Sequence, residues 1–358
     1  MNATSDRRVH PEALSRAVEA LFGAAGSGPD EARLAAEQLV GANLTGHDSH
    51  GVGMIPRYVE VLRAGDLRLN RRPEVVLDAG AITVLDGGLG LGQVAGFEAM
   101  KVAIAKAQAH GLSLTGLRHS HHLGRIGHWA EQGAAAGLVT LHFVNVISNP
   151  VVAPFGGTDP RLVTNPIAIA VPRTDAPPLV LDFATSKLAV GKVRVALNTG
   201  RALPPDALLD AAGRPTTDPA ALFGTPNGAL LPFGDHKGSG LALMCEILGS
   251  ALFGGPVMAG APRSRRIVNN MLTIHIVPSF LAEPGALDAS IAELLDWVRR
   301  SPPADPAEGV QVAGEPERRA REARADGLAI DAQTWHQLEV AADQVGLTAA
   351  RWRALCGV

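Results

Sequence analysis

The segment Gly88-Leu89-Gly90-Leu91-Gly92-Gln93-Val94-Ala95 decides which kind of α/β fold the chain adopts. It follows a short β-branched run at residues 82–85 and precedes an Ala-rich stretch, Gly92 to His110, that is typical of a helix. Gly90-x-Gly92-x-x-Ala95 matches the fingerprint of a dinucleotide-binding Rossmann unit. The next strand, however, ends at Arg118 without the acidic residue that binds a ribose in that fold. We therefore interpret the glycines as a structural turn, with an NADP-type Rossmann unit as the alternative.

The periodicity on either side of this segment predicts helices at both ends of the chain and strands in the middle. Helices are expected across residues 11–65, with Asp30 as an N-cap, and the last helix at about Asp331 to Gln344. Strands are expected at Val75–Leu77, Ile82–Leu85, Leu112–Leu117, Val139–Val146, Ile167–Val171, Leu179–Leu181 and Asn270–Val277. Residues 202–228, rich in Pro, Asp and Gly, are expected to form a surface loop.

This distribution predicts an α/β (α+β) fold with two domains. A mixed-sheet α/β domain, residues 71–279, would be inserted into an all-α domain formed by residues 1–70 and 280–358. The chain of 358 residues is long enough for two separate cores.

Composition excludes several classes of protein. Hydrophobic residues make up 46% and charged residues 19%, as in an ordered globular protein, and the net charge of −3 argues against nucleic-acid or anionic-membrane partners. No stretch approaches the roughly 18 apolar residues of a membrane span, and Met1 to His10 lacks the apolar core of a signal peptide. Cys245 and Cys356 lie far apart, which favours free thiols and a cytoplasmic location over a disulfide framework.

The densest polar cluster is Gly46-His47-Asp48-Ser49-His50-Gly51. Histidine titrates near neutrality and is the commonest group for moving a proton to or from a carbonyl oxygen. Asp48 and Ser49 would orient such a ring or hold its tautomer. The alternative is a polar loop in which Asp48 and Ser49 cap a helix.

A second cluster, Arg118-His119-Ser120-His121-His122-Leu123-Gly124-Arg125, follows a predicted strand, and His128 lies just beyond it. Imidazoles there are consistent with zinc or iron, or with an anion or cofactor site next to a glycine. Asp, Glu and Cys are absent from the cluster, and no H-E-x-x-H spacing occurs. We therefore favour anion or cofactor binding over a metal, and a structural role remains open.

A third cluster, Gly234-Asp235-His236-Lys237-Gly238-Ser239-Gly240, opens an apolar helix. The free N–H groups and positive dipole end of a helix attract anions, and Lys237 adds a cation. The alternative is an ordinary helix start capped by Asp235.

Seven strings in chain order resemble the malate/L-lactate dehydrogenase family, which is unrelated to the Rossmann-type lactate dehydrogenases. They are Gly46-His47-Asp48-Ser49-His50-Gly51, Ser120-His121-His122-x-Gly124, Thr164-Asn165-Pro166, Leu181-Asp182-x-Ala184-Thr185-Ser186, Gly191-Lys192, His236-Lys237-Gly238 and Gly314-Glu315-Pro316. The run from His47 to Pro56 looks most like the hydroxycarboxylate dehydrogenase B branch. Single strings of this kind are weak, but seven in order are specific.

The resemblance implies an enzyme that interconverts a 2-hydroxy acid and its 2-oxo acid with NAD or NADP, on a non-Rossmann fold, as a homodimer with active sites at subunit contacts. It implies that His50 is the proton donor and acceptor, that Ser49 stands beside it in a relay, and that Thr164 touches the substrate. The cofactor residues that it implies are His121, His122, Gly124, Asp182, Ala184, His236, Lys237, Gly238, Gly314, Glu315 and Pro316.

Two departures from the family pattern concern the substrate. Several members have an Arg where Met54 stands here, so Arg57 is expected to replace it in holding the carboxylate. Lys192 stands where the piperideine-carboxylate reductases have an acidic relay residue, which favours a keto acid over a cyclic imine. A cyclic-imine reductase is the runner-up, and a metal-dependent hydrolase or a non-catalytic binding protein are further alternatives.

Overall fold

The computed structural model describes residues 6–260 and 266–358. The strands are β1 (Arg7–Val9), β2 (Glu74–Ala79), β3 (Ile82–Asp86), β4 (Leu112–His121), β5 (Val139–Ile147), β6 (Pro166–Val171), β7 (Leu179–Ala184), β8 (Leu208–Leu209), β9 (Pro215–Thr216), β10 (Ala229–Leu230), β11 (Val268–Ile276) and β12 (Leu328–Ile330). The helices are α1 (Pro11–Ala24), α2 (Pro29–Leu44), α3 (Ile55–Arg63), α4 (Gly92–His110), α5 (Ile126–Ala135), α6 (Val190–Thr199), α7 (His236–Leu248), α8 (Ala286–Arg299), α9 (Glu315–Ala323), α10 (Ala332–Gln344) and α11 (Ala349–Cys356). Short 3-10 helices lie at Asp48–His50, Val52–Met54, Pro219–Phe223, Ala251–Phe253, Met258–Gly260 and Pro278–Phe280.

The main sheet is mixed, as predicted. Within the described residues it has seven strands in the order β2-β3-β4-β11-β5-β6-β7. Only β3 and β4 run parallel among these neighbours, with Ile82 beside Leu114, and α4 crosses over between them. Gly111, at φ +80°, ends α4 and turns the chain directly into β4. A single parallel pair in an otherwise antiparallel sheet is not the doubly wound arrangement of a Rossmann fold.

The glycine segment forms a structural turn between β3 and α4, as we interpreted it. A Cβ at Gly90 would lie 2.4 Å from the carbonyl oxygen of Arg71, and one at Gly92 would lie 2.0 Å from that of His122. The space that a Rossmann glycine leaves for a phosphate is therefore filled by the protein's own backbone. These contacts bring the start of α4 directly against the end of β4.

Two separate groups of apolar side chains make up the larger cores. One lies between the sheet and α4 and α5, and includes Met100, Leu117, Trp129 and Val144, all buried. The other joins side chains from both ends of the chain, among them Leu14, Leu39, Trp335 and Trp352. The second core combines helices from both ends of the chain, but it also contains Val9 of β1 and Ile330 of β12, and these two strands pair antiparallel. The prediction of an all-α domain was therefore wrong, because a two-stranded sheet joins the two ends of the chain; the domain boundaries stay a prediction.

Three local predictions were wrong. Residues 202–228 do not form a simple surface loop: β8 and β9 pair there, β8 also pairs with β10 just beyond the segment, and Leu208 and Leu222 are buried. The chain forms a further helix, α11, after α10. Asp30 lies inside the first turn of α2, whose N-cap is Gly28.

Both cysteines are free and buried, in agreement with the prediction of no disulfide framework. Along the described ranges, every helix is too short or too polar to span a bilayer.

Candidate active site

A 3-10 turn between α2 and α3 carries His50, and Asn43 on α2 holds that turn in place. The Asn43 amide donates to Asp48 Oδ1 (2.7 Å), and its oxygen accepts from the Val52 N–H (2.8 Å). Arg324 also donates to Asp48 Oδ1 (2.8 Å). Asp48 therefore braces the backbone and pairs with a cation, and the expectation that it orients the His50 ring was wrong.

The partner of His50 is His122, which arrives from the end of β4. The two rings stack with centroids 5.3 Å apart, and His50 Nδ1 lies 3.2 Å from His122 Nε2. His122 Nδ1 lies 2.6 Å from the hydroxyl of Tyr58, which in turn accepts from the Gln93 amide at 3.0 Å. Segments far apart in sequence thus form one continuous hydrogen-bonded chain that ends on His50.

Burial keeps these imidazoles neutral. Loss of solvent, with smaller contributions from the charges of His47 and Arg125, lowers the pKa of His50 to about 4. Burial also lowers the pKa of His122 well below its usual value and raises the pKa of the Tyr58 hydroxyl. With its pKa lowered to about 4, His50 is uncharged at neutral pH in the ligand-free protein.

His121 lies on the other side of Tyr58, with ring centroids 5.4 Å apart. It is fully buried, and neither ring nitrogen has a hydrogen-bond partner among the described residues. Burial first, then the charges of Arg57 and Arg266, lowers its pKa to about 3. Arg57 therefore lies near His121, and it also contacts Glu60 at 3.4 Å.

The other histidines of the second cluster have separate surroundings. His119 Nδ1 lies 2.9 Å from Asp86 Oδ2, and the His128 ring packs edge-on against Trp129. Among the described residues, no three His, Cys, Asp or Glu side chains come together as a group that could hold a metal ion. The cluster thus divides between the His50 site and local packing.

A buried ion pair lies beside the His50 turn. The Arg125 side chain is 3% exposed; its Nη2 donates to Glu131 at 2.5 Å, and its Nη1 lies 3.9 Å from Asp182 Oδ2. Asp182 accepts from the Gly127 N–H at 2.8 Å, and burial raises its pKa against the opposing charge of Arg125. Nη1 has no hydrogen-bond partner within the described part of the chain, so this cation can still donate to an anionic ligand.

The loop before α9 closes over the same region. Gly314, at φ +86°, is the N-cap of α9, and Pro316 lies in its first turn. His47 Nε2 lies 3.4 Å from Glu317 Oε1, which ties this helix to the His50 turn. A cavity of about 250 Å³ opens here, lined by Thr45, Glu131, Pro177, Pro178, Val180, Gly314, Glu317, Arg318 and Arg321. The Glu315 carboxylate accepts hydrogen bonds from Arg299 Nη2 (2.6 Å) and from the Val312 N–H (2.8 Å).

Helix α6 packs on the His50 turn from a further side. A Cβ at Gly191 would lie 2.3 Å from Ser49 Cβ, so only glycine permits this approach, and the exposed Lys192 follows directly. Thr164 and Ala184 lie close to each other at the adjoining ends of β6 and β7, where the Thr164 carbonyl accepts from the Thr185 N–H at 3.1 Å. Both are partly exposed.

The third cluster lies beside the segment that follows β7: the Phe233 N–H donates to the Thr185 carbonyl at 3.0 Å, and Lys187 Nζ lies 3.9 Å from Asp235 Oδ1. His236 and Lys237 are exposed at the start of α7; the His236 ring packs against Phe155, and the Lys237 N–H donates to Gly234. A Cβ at Gly238 would lie 2.1 Å from the Phe233 carbonyl oxygen. Among the described residues, no hydrogen bond joins His236 or Lys237 directly to His50 or His122.

The sequence alone did not identify Tyr58 or Gln93 as site residues. Gln93 lies inside the glycine segment, which was interpreted from the spacing of Gly90, Gly92 and Ala95 and not from Gln93 itself. Tyr58 is the chain's single tyrosine, and it lies two helical turns after His50. Neither signal points to a contact with His122, because that contact depends on how α3, α4 and β4 pack.

Comparison with known proteins agrees with this site. A family model described as malate/L-lactate dehydrogenase matches residues 9–339. The chain is 44% identical to hydroxycarboxylate dehydrogenase B of Escherichia coli (strain K12) over 98% of both chains. It superimposes on sulfolactate dehydrogenase from Methanocaldococcus jannaschii with a TM-score of 0.85, at 33% identity over 96% of this chain and 99% of the other.

The structure of Δ1-piperideine-2-carboxylate reductase from Pseudomonas syringae pvar. tomato is also similar, with a TM-score of 0.81 at 30% identity over 94% of this chain and 99% of the other. The family match covers most of the chain, and the matched range includes His50 and the residues that surround it. The chain therefore belongs to the malate/L-lactate dehydrogenase family and is a 2-hydroxyacid dehydrogenase enzyme.

Proposed function

We propose that the protein interconverts a small 2-hydroxy acid and its 2-oxo acid with NAD or NADP, and that His50 is the catalytic acid and base. One observation carries this assignment. His122 contacts Nδ1 of His50, which leaves Nε2 as the nitrogen for a substrate oxygen. The site therefore combines a neutral imidazole, a fixed ring orientation and one nitrogen available to a ligand.

The chemistry divides between the coenzyme and the protein. When bound, a reduced nicotinamide supplies the hydride that C2 of the oxo acid accepts. His50 Nε2 delivers a proton to the carbonyl oxygen, and in the oxidative direction it receives the hydroxyl proton. A substrate carboxylate beside His50 raises the pKa of this imidazole from about 4, because a nearby negative charge stabilises the imidazolium ion.

We assign substrate binding to groups around the His50 turn. Ser49 lies against α6, whose Lys192 provides a cation for the substrate carboxylate, and Thr164 offers a hydroxyl from the end of β6. Arg57 is the proposed replacement for the Arg that several family members carry at the position of Met54, and its proximity to His121 supports that role. A keto acid matches a cationic Lys192 better than a cyclic imine does.

The residues present fit a nicotinamide dinucleotide. Arg125 Nη1 has no hydrogen-bond partner in the described ranges and can donate to an anionic ligand, and the 250 Å³ cavity beside Gly314 adds space next to Arg318 and Arg321. We propose that His121, His122, Gly124, Asp182, Ala184, Gly314, Glu315 and Pro316 line the bound cofactor, together with His236, Lys237 and Gly238.

The exposed apolar surface of helix α7 supports a homodimer with active sites at subunit contacts. Helix α7 and the turn after it expose apolar side chains, Leu243 (50%), Met244 (41%), Ile247 (42%) and Leu252 (58%). Apolar surface of this kind is typical of a protein interface. We also propose a helical domain of residues 1–70 and 280–358, an α/β domain of residues 71–279 and a cytoplasmic location, which two free buried thiols support.

Replacement of the acid/base residue tests the assignment. His50→Ala should lower kcat by about 10²–10⁴-fold, the usual contribution of a general acid, while the dissociation constant for NADH measured by fluorescence changes little. A variant with near-normal kcat across a panel of 2-oxo acids would disprove the role of His50.

The runner-up is reduction of a cyclic imine 2-carboxylate, favoured by the structural similarity to the piperideine-carboxylate reductase. Parallel assays with pyruvate, phenylpyruvate and piperideine-2-carboxylate, each with NADH and NADPH, distinguish the two. We expect the higher kcat/KM with an open-chain oxo acid.

A further inference from the structure

The hydrogen-bonded chain behind His50 has a direction that follows from its innermost member. Gln93 is fully buried, and its Nε2 donates to the Tyr58 oxygen at 3.0 Å. Its Oε1 has no partner among the described residues. If the amide were rotated by half a turn, Oε1 would face Tyr58 and both N–H donors of Nε2 would occupy the position without a partner. Two unpaired donors in a protein interior cost more free energy than one unpaired acceptor.

Because Tyr58 accepts from Gln93, its own proton is directed to His122 Nδ1. The 2.6 Å separation of these two atoms is the length expected for an O–H donor rather than an N–H donor. His122 therefore carries its proton on Nε2 and donates it to His50 Nδ1. His50 in turn must carry its single proton on Nε2, the nitrogen that we assign to the substrate.

Protonation of His50 reverses every bond of this chain. An imidazolium ion at position 50 has a proton on Nδ1, which conflicts with the proton on His122 Nε2 only 3.2 Å away. The conflict is resolved when His122 moves its proton to Nδ1 and Tyr58 turns its hydroxyl toward Gln93. Gln93 can then accept only if its amide rotates to present Oε1.

We propose that Gln93 is a positioning residue whose amide, through Tyr58 and His122, sets the tautomer of His50 and rotates when His50 gains a proton. This inference deepens the proposed function, since it rests on His50 as the acid and base. It gives Gln93, which lies between Gly92 and Ala95, a chemical role in a segment whose glycines have only a structural one.

Other charges also act on His50 and must be separated from the chain. His47 precedes it on the same turn, and Arg125 lies across from it at the start of α5. Asp48 is paired with Arg324, and Lys192 lies on α6, which packs on this turn. None of these groups is altered by a change at Gln93.

The decisive variant is Gln93→Glu, because a carboxyl group can accept from Tyr58 but an ionised one cannot donate. When the carboxyl group introduced at position 93 is ionised, the reversed chain becomes the resting arrangement, and the His50 imidazolium ion is stabilised by the carboxylate with which it forms a neutral pair. In ligand-free protein labelled with ¹⁵N-histidine, we expect the pKa of His50 to rise by about one pH unit or more, which is a tenfold gain in the protonated fraction at a fixed pH well above that pKa. The pH at which kcat/KM for reduction begins to fall should rise in parallel.

A matched control distinguishes the chain from a simple electric field. Gln38 is also a buried glutamine, and a Cβ built at Gly124 would lie 3.8 Å from its Oε1 and 3.7 Å from Gln93 Nε2. Gln38 Oε1 has no hydrogen-bond partner among the described residues, so Gln38→Glu adds a similar charge nearby without replacing a hydrogen bond to Tyr58. We expect less than half the shift of Gln93→Glu, and equal shifts in the two variants would overturn the proposal.

Two further measurements keep the test valid if Gln93→Glu folds poorly. In the unmodified protein, long-range ¹H–¹⁵N correlations at neutral pH should show His50 as the single Nε2–H tautomer, and an Nδ1–H tautomer would disprove the chain as described. In Tyr58→Phe, the single tautomer should give way to a mixture, and adding Gln93→Glu to it should have no further effect on the pKa of His50. If the Tyr58→Phe spectrum still showed a single His50 tautomer, Tyr58 and His122 would not transmit the influence of Gln93 to His50, and the proposal would be refuted. These spectra need no substrate, so their outcome is independent of the His50→Ala activity test.

Discussion

Gly92→Ala places a methyl group where the start of α4 meets the end of β4. The new Cβ would lie 2.0 Å from the His122 carbonyl oxygen, whereas ordinary contact begins at 3.4 Å, so the two segments must separate by about 1.4 Å. Overpacking of this kind costs about 3 kcal/mol, the upper part of the usual range, because the obstacle is backbone rather than a flexible side chain. We expect the free energy of unfolding of the ligand-free protein to fall by this amount.

The same displacement should reach the catalytic site. A shift of 1.4 Å at His122 takes its Nε2 out of hydrogen-bond range of His50 Nδ1, which is now 3.2 Å away. Misplacement on that scale can lower kcat/KM on the order of 10²-fold. Chemical denaturation of ligand-free protein, with steady-state assays at neutral pH, measures both effects.

Gly41→Ala is the control, since a Cβ at Gly41 within α2 meets nothing within 4 Å. That change should leave activity intact and stabilise the helix by up to about 1 kcal/mol. If Gly92→Ala instead keeps the stability of the ligand-free protein and weakens only cofactor binding, the segment acts as a phosphate-binding fingerprint and our interpretation of the turn fails.

Two other predictions concern stability. Burial lowers the pKa of His275 to about 4. Below pH 6.5 the unfolded chain therefore binds a proton on this residue that the folded chain does not bind until about pH 4. The contribution of His275 to the free energy of unfolding falls by about 3 kcal/mol as the pH decreases through this range. His275→Asn should flatten the dependence of the denaturation midpoint on pH, and an unchanged slope would contradict the assignment. Trp352 is fully buried, with its ring 6.1 Å from that of Trp335. Trp352→Ala should cost about 3–5 kcal/mol, and a loss below 1 kcal/mol would show that α11 does not hold the terminal core.

Local patterns predicted the regular elements well where they were long or strongly patterned. The bounds of α4, Gly92 to His110, agree with the structure because an Ala-rich helix ended by a left-handed glycine is a local signal. The prediction for residues 202–228 failed because the strands there are two residues long and the few apolar side chains, such as Leu208 and Leu222, are buried by distant neighbours. A segment with so little periodicity gives no local indication of burial.

The candidate site shows the same division. His50 and His122 were both expected in the site from their motifs, but as separate parts, one for the substrate and one for the cofactor. Their stacking was not predicted, and Asp48 was given an orienting role that His122 fills. The roles proposed for Thr164, Lys192 and the cofactor residues stay predictions.

The sequence by itself determined the family, the mixed α/β class and the histidine on which the proposed chemistry depends, because each is encoded in short strings whose meaning does not depend on distant residues. Only the tertiary structure decided that Gly92 meets His122, that Tyr58 and Gln93 lie behind His50, and that Arg125 Nη1 has no hydrogen-bond partner among the described residues. These contacts join α3, α4 and β4. Their hydrogen-bond directions depend on burial and on ångström-scale distances, which exist only after the elements have packed.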